Sequence, residues 1–166
     1  KLWRTQNEKS FHLEYGYSTM GYEIAAAIGA KMACPDREIY VMVGDGNYLM
    51  NNHEIITAIQ EGIKFTIVLL NNNGFASIGG LSESLGGKRF GTKYRFRNEE
   101  SGNLDGDILP VDFIKNAESL GANVLVAESY DSLTECLGKA KTSDKTTVIY
   151  VETNLEKSVE GYSWWE

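Results

Sequence analysis

Two short, unbroken apolar runs, Ile39 to Val43 and Phe65 to Leu70, bracket a helical pattern, and this leaves few folds open to the chain. A strand that is apolar throughout, without polar alternation, needs cover on both faces, which is the condition of a strand inside a parallel sheet. Between the runs, Asn51 stands as a helix cap with Glu54 three residues on, and Ile55, Ile56, Ile59 and Ile63 form one apolar stripe. Strand, helix, strand of this kind predicts a right-handed crossover unit.

The alternation extends both ways. Ser18 to Ala33 places Met20, Ile24, Ala27, Ile28 and Met32 at helical spacing, with Gly29 as its weak point and Pro35 as its stop. Val111 to Leu120 reads as a helix stopped by Gly121, Val124 to Ala127 as a strand, Asp131 to Ala140 as a helix and Thr147 to Val151 as a strand. Residues 75–110 carry glycine, serine and charge with no sustained period, so they are expected to form a long loop without regular structure. Residues 1–17 read as a lead-in, and a polar tail from Thr153 carries three late aromatics. The fold class is α/β: one domain built on a doubly wound, mainly parallel sheet with helices on both faces.

Composition narrows the function classes. A chain of 166 residues that is 42% hydrophobic can bury one core, and a formal net charge of -7 repels nucleic acid and anionic membranes. No apolar run reaches the length of a membrane span, and the opening Lys1-Leu2-Trp3-Arg4 lacks a signal-peptide core, so the chain reads as cytoplasmic. Cys34 and Cys136 show no metal-type spacing and are expected to be buried small hydrophobes. The start at Lys1 without a methionine and the end at Trp164-Trp165-Glu166 are expected of a piece of something longer.

The chemistry lies at the ends of the two strands. The first runs into Gly44-Asp45-Gly46 and the second into Asn71-Asn72-Asn73-Gly74, and in open α/β sheets ligands sit beyond the carboxyl ends of the strands. Gly44 and Gly46 permit a tight turn and close approach of a ligand, and the amides of Gly46 and Asn47 favour an anion. Magnesium takes oxygen ligands, often one or two carboxylates with phosphate oxygens and water; Asp45 supplies the charge, and Asn72 with the Gly74 carbonyl are natural additions. Each motif alone suits an ordinary turn or cap, and only the pair points to a diphosphate and cation site. Rival motifs fail, because Leu49 occupies both the third glycine of a dinucleotide fingerprint and a calcium-ligand position, and no Walker lysine follows.

Gly44-Asp45-Gly46 followed at this interval by Asn71-Asn72 after an apolar strand resembles the signature of thiamine diphosphate (ThDP)-dependent enzymes. The resemblance implies ThDP and Mg as cofactors, with Asp45, Asn72 and the Gly74 carbonyl on the metal and Gly44, Gly46 and Asn47 along the diphosphate. It also implies that the Ser18 carbonyl and Met20 amide bond the aminopyrimidine, with the Met20 side chain wedging the cofactor into its bent shape. Family enzymes draw the activating glutamate from a separate pyrimidine-binding domain across a subunit interface, so a homo-oligomer is implied at full length, and this chain alone is expected to be inactive. The segments Phe11 to Ser18, Ser82 to Gly86, Arg89 to Arg95 and Gly161 to Trp165 resemble the branch that opens a cyclic 1,2-diketone to a deoxyglucuronic acid in myo-inositol breakdown. Two other readings stand beside it: a decarboxylase or carboligase such as acetolactate synthase, and a non-catalytic metabolite-binding module.

Other residues carry less. His53 sits on the crossover helix, His12 precedes the cofactor segment within possible reach of substrate, and Glu23 is expected to face a neighbouring domain. Lys88, Arg89, Lys93, Arg95 and Arg97 are read first as a solvated cluster with local ion pairs, and second as a contact for a polyhydroxylated substrate or carboxylate product.

Overall fold

The computed structural model describes residues 4–153. The expectations placed on Trp164, Trp165 and the rest of the tail beyond Thr153 lie outside the described residues. Four strands, β1 (Tyr40–Gly44), β2 (Thr66–Asn71), β3 (Asn123–Ala127) and β4 (Thr147–Glu152), pair in parallel in the order β1-β2-β4-β3. The six helices are α1 (Tyr22–Ala33), α2 (Asp45–Asn51), α3 (Glu54–Gln60), α4 (Ala76–Ser84), α5 (Phe113–Ser119) and α6 (Tyr130–Thr142).

The strand side chains alternate between two cores. Val41, Val43, Ile67, Leu69 and Val148 face one side, packed against Ile24 and Ile28 of α1, Tyr48 of α2, Ile55 of α3 and Phe113 of α5. Ile149 faces the other side with Cys136 and Ala140 of α6. Each large apolar side chain buried here contributes about 1.5–3 kcal/mol. Tyr40 and Met42, which alternate to the second side of the edge strand β1, remain 44% and 63% exposed. Tyr48 is fully buried, donates its hydroxyl to Asn116 Oδ1 at 2.9 Å, and is pushed up to about 12 by burial.

Several expectations need correcting. The crossover is two helices, not one: α2 starts at Asp45 as soon as β1 ends, and Asn51 closes it instead of capping the next. Asn51 Nδ2 instead reaches the Gly21 carbonyl at 3.1 Å, while Ile56 and Ile59 are 46% and 43% exposed, so only part of the isoleucine stripe is covered. Residues 75–110 do hold regular structure, since α4 forms there and the segment returns to pair Gly74 with Lys93 and Arg95 with Ile108 in antiparallel bridges. Tertiary contact overrides the poor helix propensity of its paired glycines: Gly79 lies so close to Thr92 that an added Cβ would sit 2.8 Å from its Oγ1. Cys136 is buried as expected, but Cys34 follows the last turn of α1 and is exposed, as is Met32.

Candidate functional site

Parallel register sets Gly44 opposite Leu70, so β1 and β2 end side by side and deliver their following residues to one corner. Asp45 is fully buried there. Its Oδ1 accepts the Gly46 N–H at 3.0 Å and its Oδ2 accepts the Gly74 N–H at 2.9 Å, which ties the two motifs together through one carboxylate. Burial pushes the Asp45 carboxyl above its ordinary value, and the backbone amides of Gly74, Gly46, Asn72 and Asn73 draw it only partway back. Among the described residues no basic side chain forms an ion pair with this buried acid.

The asparagines divide the work. Asn71 is buried and structural: its Nδ2 donates to the Tyr150 hydroxyl at 2.8 Å, its Oδ1 accepts the Asn73 N–H at 3.0 Å, and its carbonyl accepts the Thr153 N–H at 2.7 Å. Asn72 Oδ1, next along, is buried with no hydrogen-bond partner. Among the described residues four buried side-chain polar atoms lack a partner, and Asn72 Oδ1, Tyr94 Oη and Glu23 Oε2 all belong to this corner or to a side chain bonded to it. Native interiors rarely leave such atoms unmatched, so each is a candidate for bonding to a ligand. No group of three or more His, Cys, Asp or Glu side chains converges among the described residues, so the donor set is one carboxylate with neutral oxygens, the hard-cation type.

Close packing explains two glycines. A Cβ on Gly46 would lie 2.5 Å from Phe75 Cδ1, and one on Gly74 would lie 2.3 Å from the Thr92 carbonyl oxygen. The Phe75 ring thus rests on the turn that carries Asp45, and the returning segment 92–95 rests on the tip that carries Asn72. Phe75 N–H donates to the Thr92 carbonyl at 2.8 Å and Tyr94 N–H to the Asn73 carbonyl at 3.0 Å.

Asn47 and Glu23 form a pair that the sequence left unread. Asn47 Nδ2 donates to Glu23 Oε1 at 2.5 Å, joining α2 to α1, so Glu23 faces Asn47 where a neighbouring domain had been expected. A carboxylate on the same helical stripe as Ile24, Ala27 and Ile28 is the signal that could have found it. Ser18 and Met20 sit just before α1, outside the hydrogen-bonded corner: Ser18 is exposed with φ 51° and Met20 is half-buried. They are flanked by a local brace in which Glu14 accepts the Tyr17 and Thr19 amides at 2.7 and 2.6 Å, bonds that hold its carboxyl below the ordinary value.

His12 pairs with the Tyr22 hydroxyl at 2.7 Å and His53 with Glu54 at 3.6 Å. Of the basic cluster, Arg89 bonds Glu83 at 2.7 Å, Arg95 donates to the Gly106 carbonyl at 2.9 Å, and Arg97 donates to the Gly102 carbonyl. These three brace the segment itself. Lys93 and Arg95 also line a cleft of about 570 Å³ beside the corner, with Asn72, Tyr94, Tyr150 and Glu152.

Among the described residues no helix is long and apolar enough to cross a membrane. Residues 1–151 match the family model described as "Thiamine pyrophosphate enzyme, C-terminal TPP binding domain". The chain is 42% identical over 166 residues to the 3D-(3,5/4)-trihydroxycyclohexane-1,2-dione hydrolase of Clostridium botulinum (strain Alaska E43 / Type E3), covering 99% of this chain and 26% of the relative. It is 40% identical over the same span and shares to the hydrolase of that name from Bacillus thuringiensis (strain Al Hakam). The chain therefore spans about a quarter of the length of the curated relatives it matches. A solved structure, the Rhodococcus jostii RHA1 thiamine diphosphate-dependent 4-hydroxybenzoylformate decarboxylase, superposes with TM-score 0.66 at 28% identity, covering 84% of this chain and 24% of that one.

Proposed function

The chain belongs to the thiamine pyrophosphate enzymes, as their C-terminal TPP binding domain, and from that premise we propose that it supplies the cation and diphosphate site of a hydrolase opening trihydroxycyclohexane-1,2-dione. The observation that carries the reading is the corner itself: a buried Asp45 held by amides from both strand ends, with the unpartnered Asn72 Oδ1 beside it.

The residues fit the group. Asp45 contributes the one formal negative charge, and Asn72 Oδ1 and the Gly74 carbonyl contribute neutral oxygens toward Mg. Gly44, Gly46 and Asn47 border the diphosphate, and Glu23 holds the Asn47 side chain by its amide nitrogen. Ser18 and Met20 take the aminopyrimidine end, with Met20 as the wedge. When bound, the cofactor supplies a nucleophilic carbon and an electron sink for carbon–carbon cleavage. The work of this chain is to anchor and orient the cofactor and to keep bulk water from the cation.

The identity with relatives named as trihydroxycyclohexane-1,2-dione hydrolases supports the cyclic diketone over a 2-oxo acid as substrate. The product is then 5-deoxyglucuronate, a step of myo-inositol catabolism in the cytoplasm. The activating glutamate comes from the pyrimidine-binding domain of a partner subunit in a homo-oligomer. Calorimetric titration of the intact protein with ThDP, with and without Mg, tests the cofactor reading, and binding that ignores the metal would overturn it. Product analysis with cyclic diketones against 2-oxo acids tests the substrate, and turnover confined to 2-oxo acids would assign a decarboxylase or carboligase instead.

A further inference from the structure

Tyr94 belongs to none of the motifs that define the corner, yet its hydroxyl is one of the unpartnered buried atoms there. The ring packs on Phe75, and the backbone beneath it is tied at two points. It meets Phe75 edge to face, with centroids 5.6 Å apart and planes at 78°. Phe75 in turn rests on Gly46, where an added Cβ would lie 2.5 Å from the ring. The Tyr94 backbone donates to the Asn73 carbonyl at 3.0 Å and accepts from the Leu109 amide at 2.9 Å. The ring contact and the two backbone bonds hold Tyr94 beside the Phe75–Gly46 contact, so turning the hydroxyl out to water would cost part of that packing.

We propose that the Tyr94 hydroxyl is a further protein group of the corner, donating a hydrogen bond to an oxygen of the bound diphosphate; this rests on the cofactor reading above. The direction of the bond follows from the two groups. A tyrosine hydroxyl keeps its proton at neutral pH and an anionic oxygen has none to give, so the hydroxyl is the donor. Phosphate oxygens accept strongly, and the cation held by Asp45 and Asn72 would bring them to this corner. Tyr94 and Asn72 are both among the residues that line the cleft beside the corner.

The test is Tyr94→Phe in the intact protein, which removes one oxygen and keeps the ring on Phe75. Affinity for ThDP with Mg, and for inorganic pyrophosphate with Mg, is expected to fall about tenfold, the loss of a hydrogen bond to a charged acceptor. Affinity for Mg alone is expected to stay unchanged. The thermal midpoint of the cofactor-free variant is expected to stay level or rise, because an unmatched buried hydroxyl has been removed. Unchanged pyrophosphate and cofactor affinities overturn the assignment. So does a lower cofactor-free midpoint, which would show a partner within the protein. An equal loss for Mg alone would put the hydroxyl on the water around the cation and also overturn it. Failure of the unsubstituted protein to bind cofactor would overturn the underlying reading as well, and so is distinguishable from failure of the Tyr94 assignment alone.

Discussion

The turn from β1 into α2 and the turn from β3 into α6 stand in comparable places, each leading from a strand end into a helix, yet they are finished in opposite ways. At α6 the Ser129 side chain accepts the Ser132 N–H at 3.2 Å, while Ser132 Oγ accepts the Ser129 N–H at 2.9 Å, a reciprocal box that satisfies the helix start from within. At α2 the preceding Gly44 offers no side-chain cap, Asp45 is buried, and Asn72 and Tyr94 nearby keep unmatched polar atoms. One turn is complete as folded; the other holds back its bonding capacity. The difference is what the proposed cation and diphosphate site rests on, more than burial alone.

The contrast breaks most visibly at Asp45. Asp45→Ala in the intact protein is expected to weaken Mg-dependent ThDP binding by more than the about 100-fold that loss of an outer-shell partner costs, measured as cofactor retained after dialysis. Retention equal to the parent protein would remove the cation from this corner. Next come the glycines beneath the contacts. Gly74→Ala drives a Cβ against the Thr92 backbone and Gly46→Ala drives one against the Phe75 ring, and each is expected to cost about 1–3 kcal/mol in denaturant unfolding, with Gly74 the larger.

Ser129→Ala sharpens the comparison from the other side. It is expected to cost about 1 kcal/mol of stability and leave cofactor affinity unchanged. A loss of affinity there would mean that the two turns are not independent.

The smallest effect concerns pH. Because the folded Asp45 carboxyl lies above its ordinary value, the contribution of this group to cation-free stability is present below the unfolded value and lost as pH rises through the folded one. Mg competes with the proton for the same oxygens, so cation affinity should begin to fall on acidification at a higher pH than for a solvent-exposed carboxylate. Mg titrations across the acid range check the sign. Affinity that holds down to the ordinary aspartate range would contradict the effect of burial.

The strands were legible because continuous apolar runs demand cover on both faces, and β1, β2 and β4 form within a residue of the runs that predicted them. The Gly-Asp-Gly and Asn-Asn-Asn-Gly ends were legible because register in a parallel pair makes neighbouring tips converge. Helix α4 was not, since its Ala-Ser-Ile-Gly-Gly start has weak propensity and depends on Thr92 and Arg89, residues well along the chain. Nor was the Glu23–Asn47 bond, which arises only when α1 docks on α2. Tyr94 escaped notice for the same reason: its placement depends on a segment that leaves the sheet and returns to lie on the tips. Local pattern reported what each segment needs, whereas the unmatched atoms became visible only once distant segments met.

Tyr40 and Met42, bare on the outer strand, bear on any attempt to use this unit as a reagent in isolation. Two large, largely apolar side chains exposed on one face beside the sheet margin invite copies to associate in concentrated solution. Replacing both with threonine would preserve the extended backbone while making that margin wettable, and would leave the cation corner, at the far tip of the strand, untouched.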